Sequence, residues 1–550
     1  MLKAAENVAL MLNVNTGRPL QAQLFEQVRA MIIDGQLTSG TPLPATRALS
    51  EQLGVSRNTV VLAYDRLLAE GYIESKRSIG TFVSDAIPES GLKPQANETN
   101  VTDIKSAKAE FKTHLPLTDA AKTVITTPQA MDTALPAQLD TSLKQPLSID
   151  FRPGLPDVEA FPARTWRRLL NRKLMQIDDH YYEATDPLGS FDLRRAIAEH
   201  LGPARGIIAS AEDVVIVSSV QEARGLLCQL LLCEGAPAIM EAPGPSGIAK
   251  LFSHYKTNVY DIEVDEEGLQ ATLLPDFDNK TTPALETNRF HPSISNGLAY
   301  VTPSHQFPLG VSMALSRRVE LLEWAHKTGI MVIEDESTSD FRYGGSPLTA
   351  LKGLDNRIAE RDETVPSDII SKNGSVIYLG GFKKSLGIQI GYLVVPSFLI
   401  PALQALKTLG FGSPSWLEQA ALAEFIDNGA YDRHLRKLRK KCKEKRDLLI
   451  SHLKSHFGED ITLSGVEGGL HLIWHLPKEF GTADELSKRM LETHNIGLYS
   501  VQTGGSTVVS QSEIDEQALI FGYSSLALED IEIGVSNLAA EIKTNKRNTK

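Results

Sequence analysis

The stretch "SVIYLGGFKK", residues 375–384, holds the fold question in small: an apolar run stops abruptly at two lysines, Lys383 and Lys384. A short apolar run bounded by polar or chain-breaking residues reads as a strand buried on both faces. The same form recurs upstream. "DVVIVSS" (213–219) precedes the helical "VQEARGLLCQLLLCEG" (220–235), and "APAIMEAPG" (236–244) precedes "PSGIAKLFSHY" (245–255). "LAYVTPS" (298–304) leads through a loop to "ALSRRVELLEWAHKTG" (314–329), and "IMVIEDES" (330–337) follows at once. This alternation predicts an α/β fold, a doubly wound and mostly parallel sheet within residues 148–545. Ligands of such sheets bind beyond the carboxyl ends of the strands. Ser218, Ser219, Asp335, Lys383 and Lys384 all fall there.

A chain of 550 residues is too long for one core, so two or three domains are expected. No apolar run reaches the roughly 18–20 residues that span a bilayer. The start, "MLKAAENVALMLNVNTG", has no small-residue cleavage site, so neither membrane insertion nor export is expected. Cys228, Cys233 and Cys442 make no disulfide framework and no CxxC pair, and no His/Cys cluster has metal-ligand spacing. A reducing cytoplasm is the expected compartment. The formal net charge of −12 argues against a nucleic-acid partner for the chain as a whole. Residues 14–85, however, balance seven Arg/Lys against seven Asp/Glu, so the acidity lies downstream.

That neutral segment has its own pattern. Leu20, Leu24, Val28, Met31 and Ile32 recur at helical spacing, and "SGTPLP" then breaks the chain. "ATRALSEQLG" is a short helix closed by Gly54. "VSRNTVVLAYDRLLAEG" is a second helix, with Ser56 as its N-cap and Gly71 at its end. "YIESKRSIGTFVSD" reads as a two-stranded ribbon turning near Gly80. Helix, helix, turn, helix and ribbon make a winged helix-turn-helix, whose second paired helix reads the major groove by its N-terminal residues. Those residues are Arg57, Asn58 and Thr59 behind Ser56. Arg47 and Arg66 suit phosphates, and Lys76 and Arg77 open the wing. The run "PLPATRALSEQLGVSRNTVVLAYDRLLAEGYIESKRSIGTFV" closely resembles the DNA-binding domain of GntR-type bacterial regulators. It departs at the wing tip, where Ser78-Ile79-Gly80 replaces the usual Gly-Ser-Gly. The resemblance implies a double-stranded DNA operator as partner.

Residues 86–147 are rich in Pro, Thr, Ala and Gln, without sustained periodicity, and are expected to be a flexible tether. Residues 277–296 and 355–374 read as polar surface insertions.

Two lysines past a strand are either solvated surface or a reactive amine in a site. A pyridoxal phosphate site needs a lysine for the aldehyde and a carboxylate for the pyridine nitrogen. Its phosphate needs a helix N-terminus, hydroxyls or an arginine. Asp335 and Lys384 could supply the first two, and Ser218 and Ser219 open a helix that could serve the third.

Several segments resemble the aminotransferase-like domain of MocR/GabR-type regulators: "FRPGLPDVEAFPARTWRRLL", "DPLGSFDLRRAIAEHL", "YVTPSHQFPLGVSMALSRRVELLEWA" and "GGLHLIWHLP". That family joins a GntR-type head through a long linker to a fold-type I aminotransferase body with a smaller C-terminal α/β subdomain. The resemblance implies a homodimer and a small amine or amino-acid effector. It puts the pyridine-nitrogen role on Asp335 and the Schiff-base role on Lys384, with Lys383 in place of a serine. Adjacent residues leaving a strand point to opposite sides, so only one of the two lysines is expected to face the pocket.

The departures from the family are specific. Ser337 stands for the tyrosine that bonds the cofactor's phenolic oxygen, Pro245 for the ring-stacking aromatic, and Gln389 for a phosphate-binding arginine. Residues 490–546 hold no arginine for a substrate carboxylate. His305 and His471 read as hydrogen-bonded structural histidines. Three readings stay open: a regulator whose body binds pyridoxal phosphate or senses an amine, a working aminotransferase with an accessory DNA-binding head, and a cofactor-free regulator that uses the body for dimerisation. Lys384 and Asp335 favour the first two over the third, and the departures count against the second.

Overall fold

The computed structural model describes residues 12, 19–34, 36–76, 80–84, 146–176, 186–277, 296–344, 348–359, 374–501, 503, 505 and 517–548. The chain divides into two compact units, Met1–Pro116 and Leu117–Lys550.

In the first unit, α1 (Leu20–Ile33), α2 (Thr46–Leu53) and α3 (Arg57–Ala69) pack around Leu24, Val28, Leu49, Val60 and Leu67. Gly54 ends α2 in the left-handed conformation, at φ 65°, which a glycine adopts without steric cost. Ser56 starts α3 by accepting the Thr59 N–H at 3.1 Å. The ribbon is β1 (Ile73–Lys76) against β2 (Gly80–Val83), antiparallel, with Ile73 opposite Val83. Arg77 and the wing tip lie outside the described residues, as does the expected tether apart from its last two residues.

The second unit opens with β3 (Ile149–Asp150), α4 (Ala163–Leu174) and α5 (Phe191–Arg205). The chain then alternates: β4 (Val214–Val217), α6 (Val220–Leu231), β5 (Pro237–Ala242), α7 (Ser246–His254), β6 (Asn258–Asp265), β7 (Gly268–Leu269), β8 (Leu298–Val301), α8 (Leu315–Thr328), β9 (Met331–Asp335), α9 (Leu351–Ala359), β10 (Val376–Gly381), α10 (Lys383–Leu386) and β11 (Gly391–Val394). The large sheet has eight strands in the order β4-β11-β10-β9-β8-β5-β6-β7. The β10-β9-β8-β5-β6 block is parallel, and β11 runs antiparallel to both of its neighbours.

Both faces of this sheet are covered, which is why its strands are continuous apolar runs. Val215 and Val217 pack with Leu226 and Leu227 of α6, while Val214 and Ile216 pack with Leu193 and Ile197 of α5. The first five residues of the expected insertion at 355–374 belong to α9 instead, because Leu351 and Leu354 anchor that helix in the core. Most of the other expected insertion, 278–295, lies outside the described residues.

Two further helices still pack against the large sheet before the chain builds the smaller subdomain. After α11 (Ile400–Leu406) and α12 (Trp416–Asp427), the 28-residue α13 (Ala430–Phe457) leads to β12 (Thr462–Ser464) and β13 (His471–His475). Then come α14 (Ala483–His494), β14 (Ile496–Gly497), β15 (Tyr499–Ser500), β16 (Ala518–Gly522) and α15 (Leu528–Asn548). Four strands form an antiparallel sheet in the order β12-β13-β16-β15, with Trp474, Leu486, Met490 and Val535 in its core. The start of the body is tied into this part, since β3 pairs in parallel with β14. Among the described residues, no helix is long and apolar enough to cross a membrane.

Candidate functional site

The carboxyl ends of the large sheet's strands surround one cavity of about 350 Å³. Asp335 is the last residue of β9 and is buried. Arg224 of α6 donates to its Oδ2 at 2.7 Å, the Tyr300 hydroxyl of β8 donates to the same oxygen, and the Ser337 N–H donates to Oδ1 at 3.0 Å. Burial alone would raise this carboxyl. The Arg224 charge, the Tyr300 hydroxyl and the Lys384 charge outweigh burial and hold it down at about 2. Arg224 and Tyr300 are also bonded to each other, so the three side chains form one cluster.

Lys384 reaches the cavity from α10, a single turn that follows β10 and ends at Gly387, φ 69°. Burial pulls its ammonium down to about 8. Asp335 opposes this, and Arg224 and Lys383 add to it. A Cβ placed on Gly154 would lie 3.9 Å from Lys384 Cε, so the loop after β3 closes over the lysine. Lys383 also lines the cavity, though exposed. The expectation that only one lysine faces the site therefore fails. The pair sits in a helical turn, where neighbours are about 100° apart, and not in a strand where they alternate.

The two serines part company. Ser219 lines the cavity, but its hydroxyl caps α6 by accepting the Glu222 N–H at 3.0 Å. Ser218 is not among the lining residues. Its N–H donates to Glu222 Oε2 at 2.7 Å and its hydroxyl binds the same oxygen. Glu222 is held in turn by the fully buried Lys407 ammonium at 3.0 Å. Ser337, Pro245 and Gln389 all line the cavity at the positions marked by the departures above.

His305 and His471 are cavity walls, with ring centroids 4.9 Å apart. His471 Nε2 meets the Pro308 carbonyl at 2.8 Å, and His305 Nε2 is buried without a hydrogen-bond partner among the described residues. Burial lowers both, His471 to about 4, and the nearby Lys384 charge lowers them further, so both rings are neutral at pH 7. Arg224 and Tyr300 escaped the sequence reading. The available signal was a charge on a buried helix face, since Val220, Arg224, Leu227 and Leu231 share one side of α6.

In the head, Arg57 and Asn58 are exposed at the N-terminus of α3, and the Thr59 hydroxyl lies 2.8 Å from that of Ser56. Arg47 is exposed and pairs with Glu51 at 3.2 Å. Arg66 pairs with Glu70 at 2.8 Å and lies 4.0 Å from the centre of the Phe25 ring, so it also serves the fold. Lys76 pairs with Glu74 at 2.8 Å.

Comparison with known proteins agrees with this division. Residues 20–83 match the model of the "Bacterial regulatory proteins, gntR family", and residues 156–507 match "Aminotransferase class I and II". The chain is 30% identical over 531 residues to the "Probable rhizopine catabolism regulatory protein MocR" of Rhizobium meliloti, covering 96% of this chain and 95% of that one. It is 28% identical over 528 residues to the "HTH-type pyridoxine biosynthesis transcriptional regulator PdxR" of Corynebacterium glutamicum, covering 94% and 95%. Among solved structures, an archaeal alanine:glyoxylate aminotransferase shares the fold at a TM-score of 0.63 and 22% identity, over 78% of this chain and 98% of that one. The chain belongs to the gntR family of bacterial regulators, in the form that carries an aminotransferase class I and II body behind the helix-turn-helix head.

Proposed function

We propose that this transcriptional regulator binds an operator through its head and senses a small amine or amino acid through a pyridoxal phosphate held in the body. The observation that carries the sensing half is Lys384, an amine lowered to about 8 beside an ionised carboxylate in the wall of the cavity. A lowered amine is a better nucleophile toward an aldehyde at neutral pH. Lys384 would hold the aldehyde end. The N-terminus of α6 at Ser219, with Lys383 and Gln389, would face the phosphate. When bound, the cofactor supplies an aldehyde carbon that a primary amine can take over from Lys384.

The ring end fits less well. Asp335 would face the pyridine nitrogen, but its oxygens already accept from Arg224, Tyr300 and Ser337. A cation beside that carboxylate opposes a protonated ring, which supports capture of an amine over full transamination. The DNA-binding half is supported by exposed Arg57 and Asn58 behind the Ser56 cap. Arg57→Ala should cost about 1–3 kcal/mol of operator affinity if Arg57 makes a bidentate base contact. Fluorescence anisotropy measures this loss, and genome-wide binding that yields no enriched motif would defeat the assignment.

A cytoplasmic homodimer formed through the body completes the proposal. Leu409 and Phe411 project from one π-helical turn, Lys407–Phe411, with 84% and 46% of their surfaces exposed, as a subunit contact would require. Light scattering at micromolar concentration should give twice the chain mass of 60.2 kDa.

A further inference from the structure

The chain is acidic, yet two helices of the body gather positive charge. α4 carries Arg164, Arg167, Arg168, Arg172 and Lys173 with no acidic residue. α13 carries ten Lys/Arg against three Asp/Glu. Part of this charge serves the fold: Arg172 and Lys173 pair with Glu424, and Lys445 pairs with Asp157. So do Arg439, which donates to the Asp340 carbonyl, Arg446, which pairs with Asp447, and Lys454, which pairs with Glu459.

Between the two helices runs a groove of about 590 Å³. Thr165 and Arg168 form one wall, and Arg433, Lys437 and Lys441 form the other. Arg168, Arg433, Lys437 and Lys441 are exposed, and none of the four has an ion-pair partner among the described residues. Among the described residues, Glu159 is the one carboxylate that lines the groove. Arg433, Lys437 and Lys441 recur every fourth residue, so they form one stripe about 12 Å long at 1.5 Å per residue. That is the axial run of about three to four phosphates on one strand of a duplex. Cations lining two walls of a groove suit a polyanionic ridge between them better than a single small anion.

The geometry points to this groove as a second DNA contact: the body holds the phosphate backbone of the duplex whose bases the head reads. The inference rests on the DNA-binding reading above. It assigns the groove affinity without sequence preference, because phosphate contacts position a protein and carry no base information.

The test uses the full chain and a labelled duplex of about 60 base pairs containing its operator, titrated across a salt series. Each phosphate neutralised contributes about 0.9 to the slope of log affinity against log salt. Arg168→Ala/Lys437→Ala/Lys441→Ala should therefore flatten the slope by about 2–3 and weaken every sequence by the same factor. Arg57→Ala, by contrast, should change the ranking of sequences. Glu159→Lys adds a cation to the groove and should steepen the slope by about 0.9, a gain that a misfolded variant cannot imitate. If the wild type binds DNA and neither groove variant moves the slope, the inference fails while the reading of the head stands. If the wild type binds no DNA, both fall together. If the slope stays fixed but the triple variant loses binding to polyglutamate, the groove takes an acidic protein segment and the DNA assignment is wrong.

Discussion

Lys384→Ala should abolish covalent capture of pyridoxal phosphate, whereas Lys383→Ala should weaken binding and leave capture intact. Both lysines border the cavity, but Lys384 is half-buried where Lys383 is exposed, and it lies next to Asp335 and under the loop at Gly154. Borohydride reduction followed by peptide mass mapping reads the outcome directly. The pH profile adds an independent check. Only the neutral amine attacks an aldehyde, and burial brings Lys384 down to about 8. Capture should therefore rise with pH to a midpoint near 8, while ordinary surface lysines titrate near 10.4. Label on Lys383 would show that the reactive position is misassigned by one residue. No label on either, at saturating cofactor, would favour the cofactor-free regulator.

Arg224→Leu should destabilise the body by about 3–5 kcal/mol, the usual cost of stranding one partner of a buried ion pair. The variant leaves the Asp335 carboxylate against the apolar sheet with one neutral donor side chain, Tyr300. Asp335→Asn in the same chain removes the stranded charge and should recover most of the loss. The double-mutant cycle then measures the coupling. Denaturant unfolding followed by tryptophan fluorescence is the measurement, because all four tryptophans, Trp166, Trp324, Trp416 and Trp474, lie in the body and the head is silent. A single-variant cost below about 1 kcal/mol would put the pair in the class of solvent-screened salt bridges. The same variant removes a cation near Lys384, so the capture midpoint should move above 8.

Local features were legible in the sequence. Gly54 and Ser56 mark where α2 stops and α3 starts, since each acts on its own turn of chain. The apolar runs that end at Ser218, Asp335 and Phe382 locate the site, because a doubly wound sheet leaves only its strand ends open. Features that depend on long-range encounters were not legible. Arg224 meets Asp335 across 111 residues and Tyr300 across 76, and nothing near Arg224 in the chain announces either partner. The sidedness of Lys383 and Lys384 was misread because one helical turn, four residues long, interrupts the extended chain. Ser218 was expected to face the cavity because its partner Glu222, held by the distant Lys407, could not be seen from the helix-opening pattern alone.

The pairing of β3 with β14 has a mechanical consequence. The chain coming from the head is clamped where it enters the body: the Ser148 N–H bonds the Asn495 carbonyl at 3.0 Å, and the Phe151 N–H bonds that of Gly497 at 2.9 Å. The segment from Ser148 is thus rooted on the small subdomain and not on the large sheet. Four residues past β3, the same segment roofs Lys384 at Gly154. A ligand on the lysine that shifted this roof would act on the β3–β14 pairing through the same short segment. The roof of the lysine and the β3–β14 pairing are thus joined by six residues of backbone, with no part of the eight-stranded sheet between them.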